Sequence, residues 1–167
     1  MLKYQAKLVV LRGNSGSGKS TVAAKLREQA RDKTALVSQD NLRRLILKEK
    51  ETDGGDNIDL IQQTVEFALG RHYNVILEGI LYFPRYKFML KRLVERCPNN
   101  YFYYFDVSLD ESLKRHATKP NAHEFGEKEI REWYRYLDLT NFTSEKIIPE
   151  SYSLEQSVKT ILEDSGL

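Results

Sequence analysis

A chain of 167 residues suits one domain with a sizeable core and is short for a second. With 41% hydrophobic and 30% charged residues it has a globular balance. The net charge of +2 gives no case for a protein that coats nucleic acid, while leaving room for a local basic groove. The apolar run Leu8–Leu11, ended by Arg12 and Gly13, is too short for a signal-peptide core, and no later stretch approaches a membrane span. Cys97 is the single cysteine, which suits a reducing compartment. These features lead us to expect a cytoplasmic protein with no membrane partner.

In chain order, the sequence alternates short apolar runs with helical patterns. Ala6–Leu11 reads as a buried strand, followed by a glycine-rich turn and a helix over Thr21–Ala30. Thr34–Val37 is a second strand, Asn41–Lys50 a helix, and Asp53–Asn57 a loop. Ile58–Leu69 repeats apolar residues at helical spacing, and Gly70 suits its stop. Asn74–Leu77 is a third strand. Pro84 opens a helix to about Arg96, which ends before Pro98. Tyr101–Val107 is a fourth strand, Leu109–Ala117 a helix, Thr118–Phe125 an irregular polar segment and Glu127–Leu137 a helix, on which Trp133, Tyr134 and Tyr136 are expected to pack into the core. Lys146–Ile148 is a short last strand and Ser153–Glu163 a closing helix. Strands separated by helices predict an α/β fold with a mostly parallel sheet, whose ligands bind outside the carboxyl ends of the strands.

Gly13-Asn14-Ser15-Gly16-Ser17-Gly18-Lys19-Ser20 fits G-x-x-x-x-G-K-[S/T] in full, between a strand and a helix. Glycines allow a tight turn whose backbone N–H groups point inward as an anion-binding nest, continued at Thr21 by the helix N-terminus. Lys19 is expected to reach the β- and γ-phosphates, and Ser20 to offer its hydroxyl to Mg²⁺. No guanine-reading N-K-x-D follows. Transporter and ring ATPases usually need a longer chain, so a small phosphotransferase fits the length best.

Asp40 follows the second strand, with Arg43 and Arg44 one helical turn on. An acid there can accept the proton of an attacking hydroxyl, and an arginine can hold an acceptor that carries phosphate or carboxylate. Glu78 ends the third strand, where an acid can serve Mg²⁺ or the acceptor, and Arg85, nearest that strand end on the basic helix beyond it, is the cation of that helix expected near the acceptor. The cation-rich stretch after Lys114 reads as a lid over about residues 115–130, with Arg115 and Lys119 as candidates to meet the transferring phosphate.

Four segments in order, GNSGSGKS, SQDNLRR, VILEG and KRHATKPNAHEFGEKEIREWY, resemble the P-loop kinase group that includes polynucleotide 5′-hydroxyl kinases, zeta toxins and chloramphenicol phosphotransferase. The resemblance implies a three-layer αβα P-loop NTPase fold, with a five-stranded parallel sheet in the order 2-3-1-4-5 and a helical lid. It also implies ATP as donor with Mg²⁺, Asp40 as general base, Arg43 as the arginine three residues later and Arg115 as a lid arginine. Lys119 stands where polynucleotide kinases tend to have another arginine. Adenine is expected near Pro149. The expected function is transfer of the γ-phosphoryl group to a hydroxyl of a small molecule or nucleic-acid end. The alternatives are a nucleotide-gated ATPase or regulatory module without an acceptor, and a zeta-toxin-like kinase acting on a nucleotide sugar.

Overall fold

The computed structural model describes residues 4–31, 33–118 and 126–167. Strands β1 (Leu8–Gly13), β2 (Thr34–Ser38), β3 (Asn74–Glu78), β4 (Asn100–Asp106) and β5 (Glu145–Pro149) form one five-stranded sheet in the order β2-β3-β1-β4-β5. Every pairing is parallel. Helices α1 (Lys19–Gln29), α2 (Asp56–Gly70), α3 (Phe83–Arg96), α4 (Leu109–Ala117), α5 (Glu127–Trp133) and α6 (Leu154–Ser165) connect and close the strands.

Strand β1 is central and buried at every residue, so its sequence is a continuous apolar run rather than an alternating one. The period-two pleat still sorts its side chains. Leu8 and Val10 pack with Ile61 and Val65 of α2 and Leu90 and Leu93 of α3. Val9 and Leu11 pack with Val22 and Leu26 of α1 and Val158 and Ile161 of α6. Helices thus cover both faces, which gives the expected three layers.

Three local readings are corrected. Strand β1 runs on to Gly13, so Arg12 lies within the strand and is fully buried. Its guanidinium bonds Asp138 at 2.9 Å, Glu145 at 2.9 Å and the Leu81 carbonyl at 3.0 Å. The expected helix Asn41–Lys50 is a π-helical turn over Asn41–Ile46, after which Lys48 takes a left-handed φ of 51°. Helix α5 stops at Trp133, short of Leu137, because Asn14 claims both backbone groups of Arg135. The Arg135 N–H donates to Asn14 Oδ1 at 2.8 Å, and Asn14 Nδ2 donates to the Arg135 carbonyl at 2.6 Å. The aromatic trio consequently leaves the core: Trp133 and Tyr136 are exposed, and Tyr134 is half-buried with its hydroxyl donating to the Val107 carbonyl at 3.2 Å.

Candidate active site

The loop between β1 and α1 has the form that its residue types require. Gly16 sits at φ 78°, and a Cβ there would stand 2.6 Å from the Ser112 carbonyl oxygen, so only glycine fits. Lys19 is buried, and its Nζ donates to the Asn14 carbonyl at 2.7 Å and Ser17 Oγ at 3.0 Å. The ammonium is therefore drawn over the loop that Gly13, Asn14, Ser15, Gly16, Ser17 and Gly18 form. Ser20 and Thr21 follow Lys19 in the first turn of α1, at its positive dipole end.

Parallel pairing brings the ends of three strands to the same edge. Leu11 pairs with Glu78, and Ser38 pairs with Glu78 from the other side. Glu78 is buried, and the Ser20 hydroxyl donates to its Oε2 at 3.0 Å. A buried carboxylate compensated by one neutral hydroxyl suits a cation close by. Mg²⁺ keeps several waters and takes one or two protein oxygens plus substrate phosphates, so a hydroxyl and a carboxylate are a sufficient set. The described residues hold no cluster of three or more His, Cys, Asp or Glu side chains arranged for a metal.

Asp40 lies two residues past Ser38 with its side chain largely exposed, and its Oδ1 accepts from Arg43 Nη2 at 3.0 Å. Arg44 is half-buried. Arg43 also reaches Glu51 Oε2 at 3.0 Å and the Glu49 carbonyl at 3.1 Å. Arg85, at the start of α3, donates to Asp53 at 2.7 Å and to Glu51 Oε1 at 3.1 Å. Burial works against the Arg85 charge, yet the bonds to Asp53 and Glu51 outweigh it and raise its pKa above the ordinary value.

Glu51 joins these arginines to a buried polar group. Tyr86 Oη lies 2.8 Å from Glu51 Oε1 and 2.8 Å from Asn57 Oδ1, and Gln39 Nε2 donates to Tyr86 Oη at 2.7 Å. Burial, with the Glu51 charge alongside, pushes the Tyr86 hydroxyl well above its usual pKa, so it stays a donor. Gln39 approaches the end of β3 because Gly79 has no side chain: a Cβ there would stand 2.3 Å from Gln39 Oε1.

Arg115 belongs to the last turn of α4 and rests against the phosphate loop. Its Nη1 donates to the Ser17 carbonyl at 3.3 Å, its Nε to Glu111 at 2.7 Å and its Nη2 to the Glu150 carbonyl at 3.1 Å. Beside it lies a cavity of about 270 Å³ lined by Ser17, Thr21, Arg115, Pro149 and Tyr152 among others. Lys119 lies outside the described residues, as does His123.

The structure thus gathers Lys19, Ser20, Glu78, Asp40, Arg43, Arg85 and Arg115 along the carboxyl edge of the sheet. Glu51, Asp53, Tyr86 and Gln39 join them without having been singled out in the sequence. Their one signal is the acidic alternation Glu49, Glu51, Asp53 opposite a basic helix, and periodicity does not pair residues 34 positions apart.

A family profile described as an AAA domain matches residues 8–140. Comparison with curated proteins finds no match. Among solved structures, the Mycobacterium tuberculosis APS kinase CysC in complex with AMPPNP and APS is similar at a TM-score of 0.73 and 16% identity, over 96% of this chain and 97% of that one. A sugar kinase from Janibacter sp. HTCC2649 is similar at a TM-score of 0.69 and 16% identity, over 95% and 93%. A chain of the Pnkp1/Rnl/Hen1 RNA repair complex is similar at a TM-score of 0.56 and 23% identity, over 99% of this chain and 46% of that one. Identities this low speak for the fold. With the profile covering most of its length and kinases sharing its architecture, the chain belongs to the AAA domain family and has the fold of the P-loop kinases.

Proposed function

We propose that this protein is a kinase that transfers the γ-phosphoryl group of ATP to a hydroxyl of an acceptor. The observation that carries the reading is the Ser20–Glu78 contact beside the phosphate loop, with Asp40 two residues beyond the strand partner of Glu78. In this reading the backbone of residues 13–18 and the α1 N-terminus cradle the phosphates, and Lys19 leaves its loop contacts for the β- and γ-oxygens. Adenine lies in the cavity between Arg115, Pro149 and Tyr152. Ser20 and Glu78 hold Mg²⁺, which when bound neutralises charge on the phosphate oxygens.

On the acceptor side, Asp40 accepts the hydroxyl proton, oriented by its bond to Arg43. The acceptor oxygen forms its bond to the γ-phosphorus as the bond to the bridging oxygen breaks, and ADP leaves. Arg115 shifts from the Ser17 carbonyl to the equatorial oxygens that carry the developing charge. Arg43, Arg85 and Glu78 line the acceptor pocket, and about residues 115–130, Lys119 included, act as a lid over the phosphates.

The test is transfer of label from γ-labelled ATP in Mg²⁺ buffer to hydroxyl acceptors: sugars, nucleosides, nucleotide sugars, hydroxylated antibiotics and 5′-hydroxyl RNA and DNA. Wild type should label an acceptor, and Asp40→Asn should bind ATP as before while transfer drops about 10²-fold or more. Transfer at the wild-type rate by Asp40→Asn would refute its assignment as base. Label released only as free phosphate would refute the kinase reading.

A further inference from the structure

Arg43 and Arg85, the arginines placed with the acceptor, already hold carboxylates of the chain itself. Glu51 bridges them, with Arg43 Nε at 3.0 Å on one oxygen and Arg85 Nη1 at 3.1 Å on the other. Asp40 accepts a hydrogen bond from Arg43, and Asp53 accepts a second one from Arg85. Two guanidiniums therefore meet three carboxylates, and an incoming anion would find that cluster negative.

Glu51 is built in rather than loosely draped. Its carboxylate also faces the Tyr86 hydroxyl at 2.8 Å and Gln39 Nε2 at 3.3 Å, both from buried side chains. Two residues earlier, the Glu49 carboxylate accepts from the backbone N–H of Asp56 at 2.8 Å and of Asn57 at 3.0 Å, and from Asn57 Nδ2 at 2.8 Å. Those bonds tie the stretch carrying Glu51 to the start of α2. Displacing Glu51 would break the charge-assisted bond from Arg85 and the ion pair with Arg43, and would leave Tyr86 and Gln39 without their ionic partner. Arg135, whose guanidinium lies 5.6 Å from the Tyr82 ring centroid, donates to its own segment, at 2.7 Å to the Glu132 carbonyl and 2.8 Å to that of Tyr134.

We propose that Glu51 sets the acceptor's charge: by holding Arg43 and Arg85 it reserves the pocket for an uncharged, hydroxyl-rich small molecule of the sugar or nucleoside class. It turns away acceptors with phosphate or carboxylate near the reacting hydroxyl. A partly exposed carboxylate that bridges two guanidiniums offers the acceptors and donors that sugar hydroxyls use. This inference rests on the kinase reading and narrows it.

The experiment pairs acceptors of one skeleton with and without an anion: glucose with gluconate and glucose 6-phosphate, uridine with a uridine-diphosphate sugar, adenosine with a 5′-hydroxyl oligonucleotide. Transfer from γ-labelled ATP and free-phosphate release are followed together for wild type, Glu51→Gln and Glu51→Asp, each checked by thermal unfolding. Wild type should have the higher kcat/KM for the neutral member of a pair. Glu51→Gln should reduce that preference about ten-fold, by improving the anionic member as well as weakening the neutral one, and Glu51→Asp should restore it. A wild-type preference for the anionic member, or a preference unchanged in Glu51→Gln, overturns the proposal and leaves the kinase intact. If Glu51→Gln does not fold, the wild-type preference decides alone. Label found only as free phosphate with every acceptor overturns the kinase reading and this inference with it.

Discussion

Arg12 is accommodated near the end of a core strand because its neighbours neutralise and saturate it. Asp138 and Glu145 supply charge, and the Leu81 and Asp138 carbonyls take further N–H groups. Asp138 in turn accepts from the backbone N–H of Phe83 at 2.8 Å, so one cluster fixes β1, the start of α3 and the chain entering β5. Such a pair gives modest net stability when intact, yet losing one partner strands buried charge. Arg12→Met should therefore lower unfolding free energy by about 3–5 kcal/mol in urea titrations at neutral pH. A loss below about 1 kcal/mol would mean that the cluster behaves as a surface pair does. At the same scale, Tyr104, whose ring lies 5.9 Å from the Arg12 guanidinium, has its hydroxyl pushed up to about 12 by burial. It remains protonated at any pH used for assay.

Among the elements, α2 owes its start to a residue seven positions upstream. Three donors bond the Glu49 carboxylate and lower its pKa, the Asn57 side chain most of all. A folded-state pKa below the unfolded 4.5 means a contribution that is full above that pH and is lost as pH falls through the folded value. Thermal unfolding followed from neutral pH into acid should show Glu49→Gln less stable at neutrality, with its curve converging on wild type in acid. Parallel curves would remove Glu49 from the linkage. Regular elements such as this helix were legible in the sequence because their own periodicity defines them. Leu109–Ala117 matches α4 end to end, and the strands differ by two residues or fewer at each end. The stretch from Asn41 to Asp56 was not legible, since its π-helical turn and its contacts through Glu49 and Glu51 depend on partners supplied by α2 and α3. Arg12 escapes the sequence pattern for the same reason: a cation after four apolar residues ordinarily ends a strand, and the carboxylates that retain it are more than a hundred positions away.

For the whole molecule, the ligand-bearing groups collect at one edge because every strand runs in the same direction and every loop after a strand opens there. No helix among the described residues is long and apolar enough to cross a membrane. A nucleotide held at that edge binds the folded chain alone, so ATP with Mg²⁺ at a hundred-fold excess over Kd should add about 2.7 kcal/mol of stability. For a chain of this size that amounts to a rise in Tm of about 5–10 °C, which Lys19→Ala should largely remove. An unshifted wild-type melting curve would count against nucleotide binding at the loop. Two fastenings to the phosphate loop add a mechanical consequence. Arg115 grips the Ser17 carbonyl, and the Arg135 backbone is laced to Asn14, so the last turn of α4 and the residues just past α5 are both moored to that loop. A small displacement of the loop carries the two moorings together. The single tryptophan, Trp133, stands two residues from one of them, which makes the protein's own fluorescence a gauge of that shared movement.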